Sequence, residues 1–233
     1  MFKKISIIML LISPFILNAT SIRNPYSTQN TPTQKSFMIE ALYGFGYMNN
    51  PQNGYMHEGE IHATFLTTDF SHEILGRASF SQKSKVKING NDISSSYMNY
   101  EAEYRFGMRL DNDMSSLGML FGTIYLGVGY QNVTRKEPSR INAQYIYIPL
   151  GFWGEDVLAQ NLSLRYGLNT KFMFLDNSRD NKFKIKVGYG GKVYLGVGYH
   201  IGGIMDIFAQ AYFSYNAPIR NLRQYGLEVG LKF

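Results

Sequence analysis

Residues 97–110 read YMNYEAEYRFGMRL, and they separate cleanly into two alternating sets. Met98, Tyr100, Ala102, Tyr104, Phe106, Met108 and Leu110 occupy one side of an extended chain. Tyr97, Asn99, Glu101, Glu103, Arg105, Gly107 and Arg109 occupy the other. A helix, whose neighbours lie three and four residues apart, would mix the two sets, so a period of two means a strand. Residues 162–174 repeat the design, with Leu162, Leu164, Tyr166, Leu168, Phe172 and Phe174 against Ser163, Arg165, Gly167, Asn169 and Lys171. Residues 224–233 repeat it again, with Tyr225, Leu227, Val229, Leu231 and Phe233 against Gln224, Gly226, Glu228, Gly230 and Lys232.

Weaker alternation places further strands at about residues 37–47, 57–67, 73–82, 117–130, 141–153, 185–199 and 207–215, which makes ten with the three above. The predicted connections near 68–72, 111–116, 154–161 and 200–206 are short, and those near 83–96, 131–140 and 175–184 are longer; the tips near 48–56 and 216–222 blur the contrast. An even strand number with short turns at one end and long loops at the other predicts an all-β, membrane-spanning, antiparallel up-and-down barrel of ten strands, with eight as the competing number. The rival is a soluble barrel with its apolar face inward. Strands of 11 to 14 residues match or exceed the roughly 9 to 11 that cross a bilayer when tilted. Glycines on the polar face leave room for long inward side chains, and Tyr43, Tyr47, Tyr130, Tyr199, Tyr225 and Phe233 fall near strand ends, as interfacial girdles require. Slipping residues 97–110 by one position would turn Arg105 and Arg109 toward lipid, at roughly 2–4 kcal/mol each near the midplane, so register is sharply specified.

Composition narrows the rest. The 233 residues are 45% hydrophobic, 15% aromatic and only 17% charged, which excludes disorder for most of the length. The absence of cysteine excludes a disulfide framework, a thiolate metal site, a cysteine nucleophile and lipidation through an acylated cysteine. Lys3 and Lys4, the apolar run from Ile5 to Leu17 and the small Ala19 follow the order of a secretory signal, so residues 1–19 are expected to be cleaved. The net charge then falls from +6 to +4, because two lysines leave with the signal. Residues 20–35 read as a disordered periplasmic lead-in, and residues 36–233 as the barrel.

Tyr225, Leu227, Val229, Leu231 and the terminal Phe233 resemble the C-terminal assembly signal of bacterial outer-membrane barrels. Together with the signal peptide, this resemblance implies export and delivery to the barrel-assembly machinery in the outer membrane of a Gram-negative cell. The tyrosine-rich strands and terminal Phe are also similar to Helicobacter-type outer-membrane proteins and to the small opacity or OmpA-like barrels, although ten strands depart from the eight of the OmpA-like group.

Candidate chemistry follows from the two faces. Glu40, Glu101, Glu103, Arg105, Arg109, Arg165, Lys171, Glu228 and Lys232 fall on the inward set, where a barrel of eight to ten strands is largely filled by side chains, so a charge network that plugs the lumen is expected. The alternative is a narrow passive pore for ions or small solutes. On the loop side, Lys83, Lys85 and Lys87 precede the hairpin signal Asn89-Gly90, and Arg135, Lys136 and Arg140 crowd the next loop; their expected partner is lipopolysaccharide phosphate. A host or surface ligand could meet the same loops, whereas nothing points to nucleic acid.

Enzymatic parts are sparse. Outer-membrane phospholipases and lipid A deacylases resemble one another in a His-x-Ser pair, and none of His57, His62, His72 or His200 has serine two positions on. Ser71, His72 and Glu73 form the nearest constellation and read as a solvated turn. Glu58, Glu60 and His62 share a strand face, but steps of nearly 7 Å make three ligands of one ion awkward. YLGVGY at 125–130 and again at 194–199 opens no helix, so its glycines read as strand glycines rather than a phosphate loop. The sequence therefore predicts a non-enzymatic surface protein, structural or adhesin-like, with no catalytic residues, metal or cofactor; a lipid-modifying enzyme is the remote alternative.

Overall fold

A lone strand leaves every backbone N–H and C=O unpaired, and in hydrocarbon each would cost several kcal/mol, so strands that cross a bilayer must close on themselves. The computed structural model describes residues 37–49, 52–110, 119–135, 141–175, 186–201, 205–217 and 221–233. The segments expected as signal (1–19) and lead-in (20–35) lie outside the described residues. Ten strands follow in chain order: β1 (Phe37–Asn49), β2 (Gln52–Leu66), β3 (Phe70–Ile88), β4 (Asn91–Arg109), β5 (Met119–Arg135), β6 (Ile141–Ala159), β7 (Leu162–Leu175), β8 (Lys186–Ile201), β9 (Met205–Asn216) and β10 (Leu222–Lys232). Each pairs antiparallel with its sequence neighbours, and β1 pairs with β10, so the sheet is a closed barrel.

The register fixes the tilt. Stepping across paired residues from Phe37 through Phe65, His72, Phe106, Leu126, Leu150, Thr170, Gly191, Tyr215 and Arg223 returns to β1 at Asn49, twelve residues above the start. A shear of twelve over ten strands, with about 3.3 Å per residue and about 4.8 Å between strands, tilts each strand by about 40° and gives about 2.5 Å of axial rise per residue. Between β5 and β6 the paired residues skip from Leu126–Leu150 to Gly129–Tyr147, next to Pro149, which has no N–H to donate.

Burial is inverted relative to a water-soluble protein. In residues 97–110 the odd positions are buried and the even ones exposed up to Met108, and Leu231, Val229, Leu227 and Tyr225 are likewise exposed. Ile61, Ile74, Leu126, Val128, Leu195 and Leu227 form an aliphatic band at mid-height. Aromatic side chains flank it. Phe37 and Tyr47 on β1, Phe65 and Tyr55 on β2, and Phe70 and Phe80 on β3 are each ten residues apart along an outward face. At about 2.5 Å per residue the two girdles are about 25 Å apart, the height of the apolar band of a transmembrane barrel. An apolar belt of this extent is unsupportable in water and is what hydrocarbon requires.

The connections correct the predicted pattern. Residues 83–96, expected as a long loop, are the upper thirds of β3 and β4, joined by a two-residue turn at Asn89 (φ 48°) and Gly90 (φ 84°). Positive φ at both positions is the geometry that Asn-Gly favours. This hairpin runs eight residues past Phe80, roughly 20 Å beyond the girdle at the tilt above. Outside the bilayer its strands need no apolar face, which is why alternation of greasy residues fails to reveal them. Similarly, β2 begins at Gln52 rather than near 57, and β6 continues to Ala159 through an expected turn. The gap of 110–118 at the end that holds Phe37 and Phe233 is longer than the two-residue gap at 50–51 opposite, so loop length does not distinguish the two ends. Strand overhang does.

Candidate functional site

Among the described residues, charge is concentrated away from water in the bore. Period-two alternation sends every polar-set residue inward, and about 10 Å of backbone radius leaves side chains from opposite walls in contact. Among the described residues, eight carboxylates (Glu40, Glu58, Glu60, Glu73, Glu101, Glu103, Glu155, Glu228) and eight cations (Arg77, Arg105, Arg109, Arg135, Arg165, Lys171, Lys192, Lys232) are buried or have side chains no more than 10% exposed. The two counts match among these described residues, with Asp206 beside Lys232 at one end and its side chain 18% exposed.

The expected residues meet mostly in pairs. Arg165 Nη2 donates to both oxygens of Glu40 at 2.8 Å, across 125 positions of sequence. Lys171 Nζ donates to Glu101 at 2.5 Å. Glu103 accepts from Arg105, from the Tyr147 hydroxyl at 2.8 Å and from Asn169 at 3.2 Å. Lys232 reaches Glu155 at 2.6 Å and Asp206 at 3.0 Å, and Glu228 binds Lys192. Arg109 donates to the Thr67 carbonyl at the β2–β3 turn.

Other members were not expected in the charge network: Arg77 and Lys192 were not singled out by sequence, and Glu58, Glu60, His62 and Glu73 only as candidates for other chemistry. Arg77 is the hub: it contacts Glu60 at 2.5 Å, Glu101 at 3.2 Å and Glu58 at 3.3 Å. Lys192 supports the same group, 3.1 Å from Glu58 and 3.7 Å from Glu60. Glu73, fully buried, accepts from Trp153 Nε1 at 2.8 Å, lies 3.1 Å from His62 and 3.4 Å from Arg105. Each of five cations also lies over an aromatic ring: Arg105 over Tyr125, Arg165 over Phe208, Lys171 over Tyr147, Lys192 over Tyr212 and Lys232 over Phe121. Desolvation of these cations is thus offset on two sides, by carboxylate and by ring face.

Glycines make the room, but chiefly for rings. A Cβ on Gly129 would lie 2.1 Å from the Tyr147 ring, and one on Gly167 would lie 2.5 Å from Tyr194. Expecting the glycines to accommodate Arg and Glu fits Gly44, beneath Glu228, and misses this larger aromatic use.

Apolar layers border the charges. Met48, Met56, Tyr97, Val133, Tyr145, Met173 and Leu222 pack together at the end nearest the β3–β4 hairpin. Met38, Leu120, Phe121, Tyr125 and Trp153 pack at the other end, beside the Lys232–Glu155 pair. Among the described residues, two voids of about 40 Å³ lie in the bore, one near Glu40, His62, Arg105 and Arg165, the other near Asn99, Gln131 and Gln224. Each has room for about one or two waters.

The remaining candidates separate. Ser71 and Glu73 point inward with Ser71 Oγ donating to Glu73 at 3.3 Å, whereas His72 points outward and lies 2.8 Å from the Tyr104 hydroxyl. Histidine and serine are on opposite faces of the wall, so no proton can pass directly between them. They belong to β3 rather than to a turn. Glu58 and Glu60 are drawn to Arg77 while His62 turns to Glu73, and among the described residues no acid and histidine group gathers as metal ligands do.

Of the loop-side cations, Lys85 and Lys87 are exposed on the hairpin, with Lys85 4.0 Å from Asp92. Arg135 departs from the expectation: it is 5% exposed and faces the bore, because it falls on the inward parity of β5. Lys136, Arg140 and the Lys83 side chain lie outside the described residues.

Comparison with known proteins adds likeness of shape. No family model and no curated protein matches this chain. Among solved structures, the translocator domain of the autotransporter NalP from Neisseria meningitidis aligns over 98% of this chain and 97% of its own, at 10% identity and a TM-score of 0.46. The transport unit of the autotransporter AIDA-I from Escherichia coli aligns over 94% and 97%, at 9% identity and a TM-score of 0.48. Neisserial surface protein A aligns over 85% and 96%, at 14% identity and a TM-score of 0.39. Function is therefore argued from the barrel's own residues.

Proposed function

We propose that this chain is an integral outer-membrane β-barrel of a Gram-negative cell that acts through its exposed surface, as a structural or adhesin-like interaction protein, and neither conducts nor catalyses. One observation carries the reading. Among the described residues, eight buried carboxylates face eight buried cations across the bore, and two voids of about 40 Å³ lie between them. A conducting barrel would need a continuous wet path, and here the path is blocked by paired side chains and by apolar layers that resist wetting. Among the described residues, the β3–β4 hairpin with its exposed Lys85 and Lys87 projects beyond the aromatic girdle. That overhang supports placing the hairpin end outside the cell, where anionic lipopolysaccharide or a ligand on another surface meets it.

Planar-bilayer recording of the purified full chain tests this. Silence at potentials where small pores open is expected, and a stable ohmic channel would replace the reading with that of a narrow passive pore. Incubation with phospholipid and lipid A tests the catalytic half: reproducible product formation by the folded barrel would overturn it.

A further inference from the structure

The lipid-facing wall is not uniform. Between β1 and β10 an apolar groove of about 410 Å³ runs up the outside, walled by Phe45 and Tyr47 on one side and by Val229, Leu227 and Tyr225 on the other. Tyr55, Tyr47 and Tyr225 close its upper end, with Tyr47 ring centroids 5.6 Å from Tyr55 and 5.9 Å from Tyr225. Immediately above, Arg223 is exposed and paired across the sheet with Asn49 and Tyr215. The aromatic ring at this level is the richer in hydroxyls. It carries Tyr47, Tyr55, Tyr100, Tyr130, Tyr189 and Tyr225 together with Phe80, whereas the ring at the other end has Tyr199 among Phe37, Phe65, Phe70, Phe106 and Phe233. Phenylalanine offers a headgroup only van der Waals contact, while tyrosine adds a hydroxyl that can donate to and accept from sugar and phosphate oxygens.

We infer that this groove is a binding site for a phosphorylated glycolipid of the outer leaflet, with one acyl chain between Phe45 and Leu227, a phosphate on Arg223 and sugar hydroxyls against Tyr47, Tyr55 and Tyr225. The inference rests on the proposed placement of the hairpin end outside the cell. Three properties coincide here: an apolar trough at acyl-chain depth, hydroxyl-bearing rings at headgroup depth and an exposed guanidinium one step higher. A guanidinium holds phosphate through paired hydrogen bonds that an ammonium cannot reproduce in the same geometry.

Native mass spectrometry of the full chain released from nanodiscs reads the outcome. The discs hold phosphatidylcholine alone, phosphatidylcholine with lipid A, or phosphatidylcholine with phosphatidylglycerol. One lipid A retained per barrel is expected, with retention lowered about tenfold by Arg223→Gln and less by Tyr225→Phe. Heat-dependent gel mobility verifies that both variants are folded. Equal retention of phosphatidylglycerol would reject the glycolipid, and unchanged retention by Arg223→Gln, or none by the unaltered chain, would reject the site. Because the chain has no cysteine, Asn89→Cys labelled on intact cells by a membrane-impermeant maleimide tests the orientation separately. Failure of labelling refutes the placement, whereas labelling without lipid retention refutes the groove alone.

Discussion

Replacing Arg77 by leucine removes the cation that three carboxylates share, and its cost follows from the geometry. Arg77 lies 2.5 Å from Glu60, 3.2 Å from Glu101 and 3.3 Å from Glu58, with its side chain 9% exposed. Breaking a buried pair by deleting one partner costs about 3–5 kcal/mol, because the stranded charge stays desolvated. Two lysines limit the damage: Lys171 is 2.5 Å from Glu101 and Lys192 is 3.1 Å from Glu58. Glu60 is left worst served, with Lys192 at 3.7 Å. The expected loss is therefore at the lower end, about 3 kcal/mol or roughly a hundredfold in the folded-to-unfolded ratio. Trp153, the single tryptophan, is buried against Glu73 and reports unfolding in urea from lipid vesicles. Adding Glu60→Gln to Arg77→Leu should recover about 1–3 kcal/mol relative to the sum of the single changes, since it removes the stranded charge. A loss below about 1 kcal/mol, typical of water-exposed pairs, would refute the claim that the charges at the centre of the bore are shielded from bulk water.

Two further changes probe the wall from either side. Leu227→Arg places a charge at the middle of the apolar band, where Leu227 is 67% exposed, and should cost about 2–4 kcal/mol in vesicle unfolding; a neutral effect would mean that this face does not meet lipid. Gly129→Ala drives a methyl into the Tyr147 ring and should cost about 1–3 kcal/mol, whereas the same change in a Tyr147→Ala background should cost much less; equal costs in both would show that the ring is not the obstacle.

The sequence discloses this fold where residues must satisfy lipid on one side and charge on the other. Residues 97–110 meet that condition, and nearly all of their side chains face as alternation requires. Where the chain leaves the bilayer the signal stops: residues 83–96 are strand, yet Lys, Ser, Asn and Asp give alternation nothing apolar to reveal. The site shows the same boundary. Arg105, Glu101 and Glu103 are legible because their neighbours alternate strictly. Arg77 is harder to find, since Leu75 is apolar, inward and 2% exposed on the same face. Glu155 is hidden by an expected turn that is in fact the end of β6, whereas Lys192 is legible by parity alone, sharing a face with Gly188, Gly190, Gly196 and His200 opposite Val187, Val193, Leu195 and Val197. Pairing across the bore, such as Arg165 with Glu40, depends on shear and closure, which no local pattern encodes.

Which set of side chains meets hydrocarbon decides how the whole wall is oriented. Cysteine-free sequence allows a single-cysteine scan of residues 97–110, each spin-labelled in lipid bilayers and tested for collision with oxygen, which partitions into lipid, and with a water-soluble nickel chelate. Oxygen accessibility should peak at Met98, Tyr100, Ala102, Tyr104, Phe106 and Met108 and fall at every position between them. A profile without that alternation, or one with maxima at Glu101, Glu103 and Arg105, would contradict that orientation.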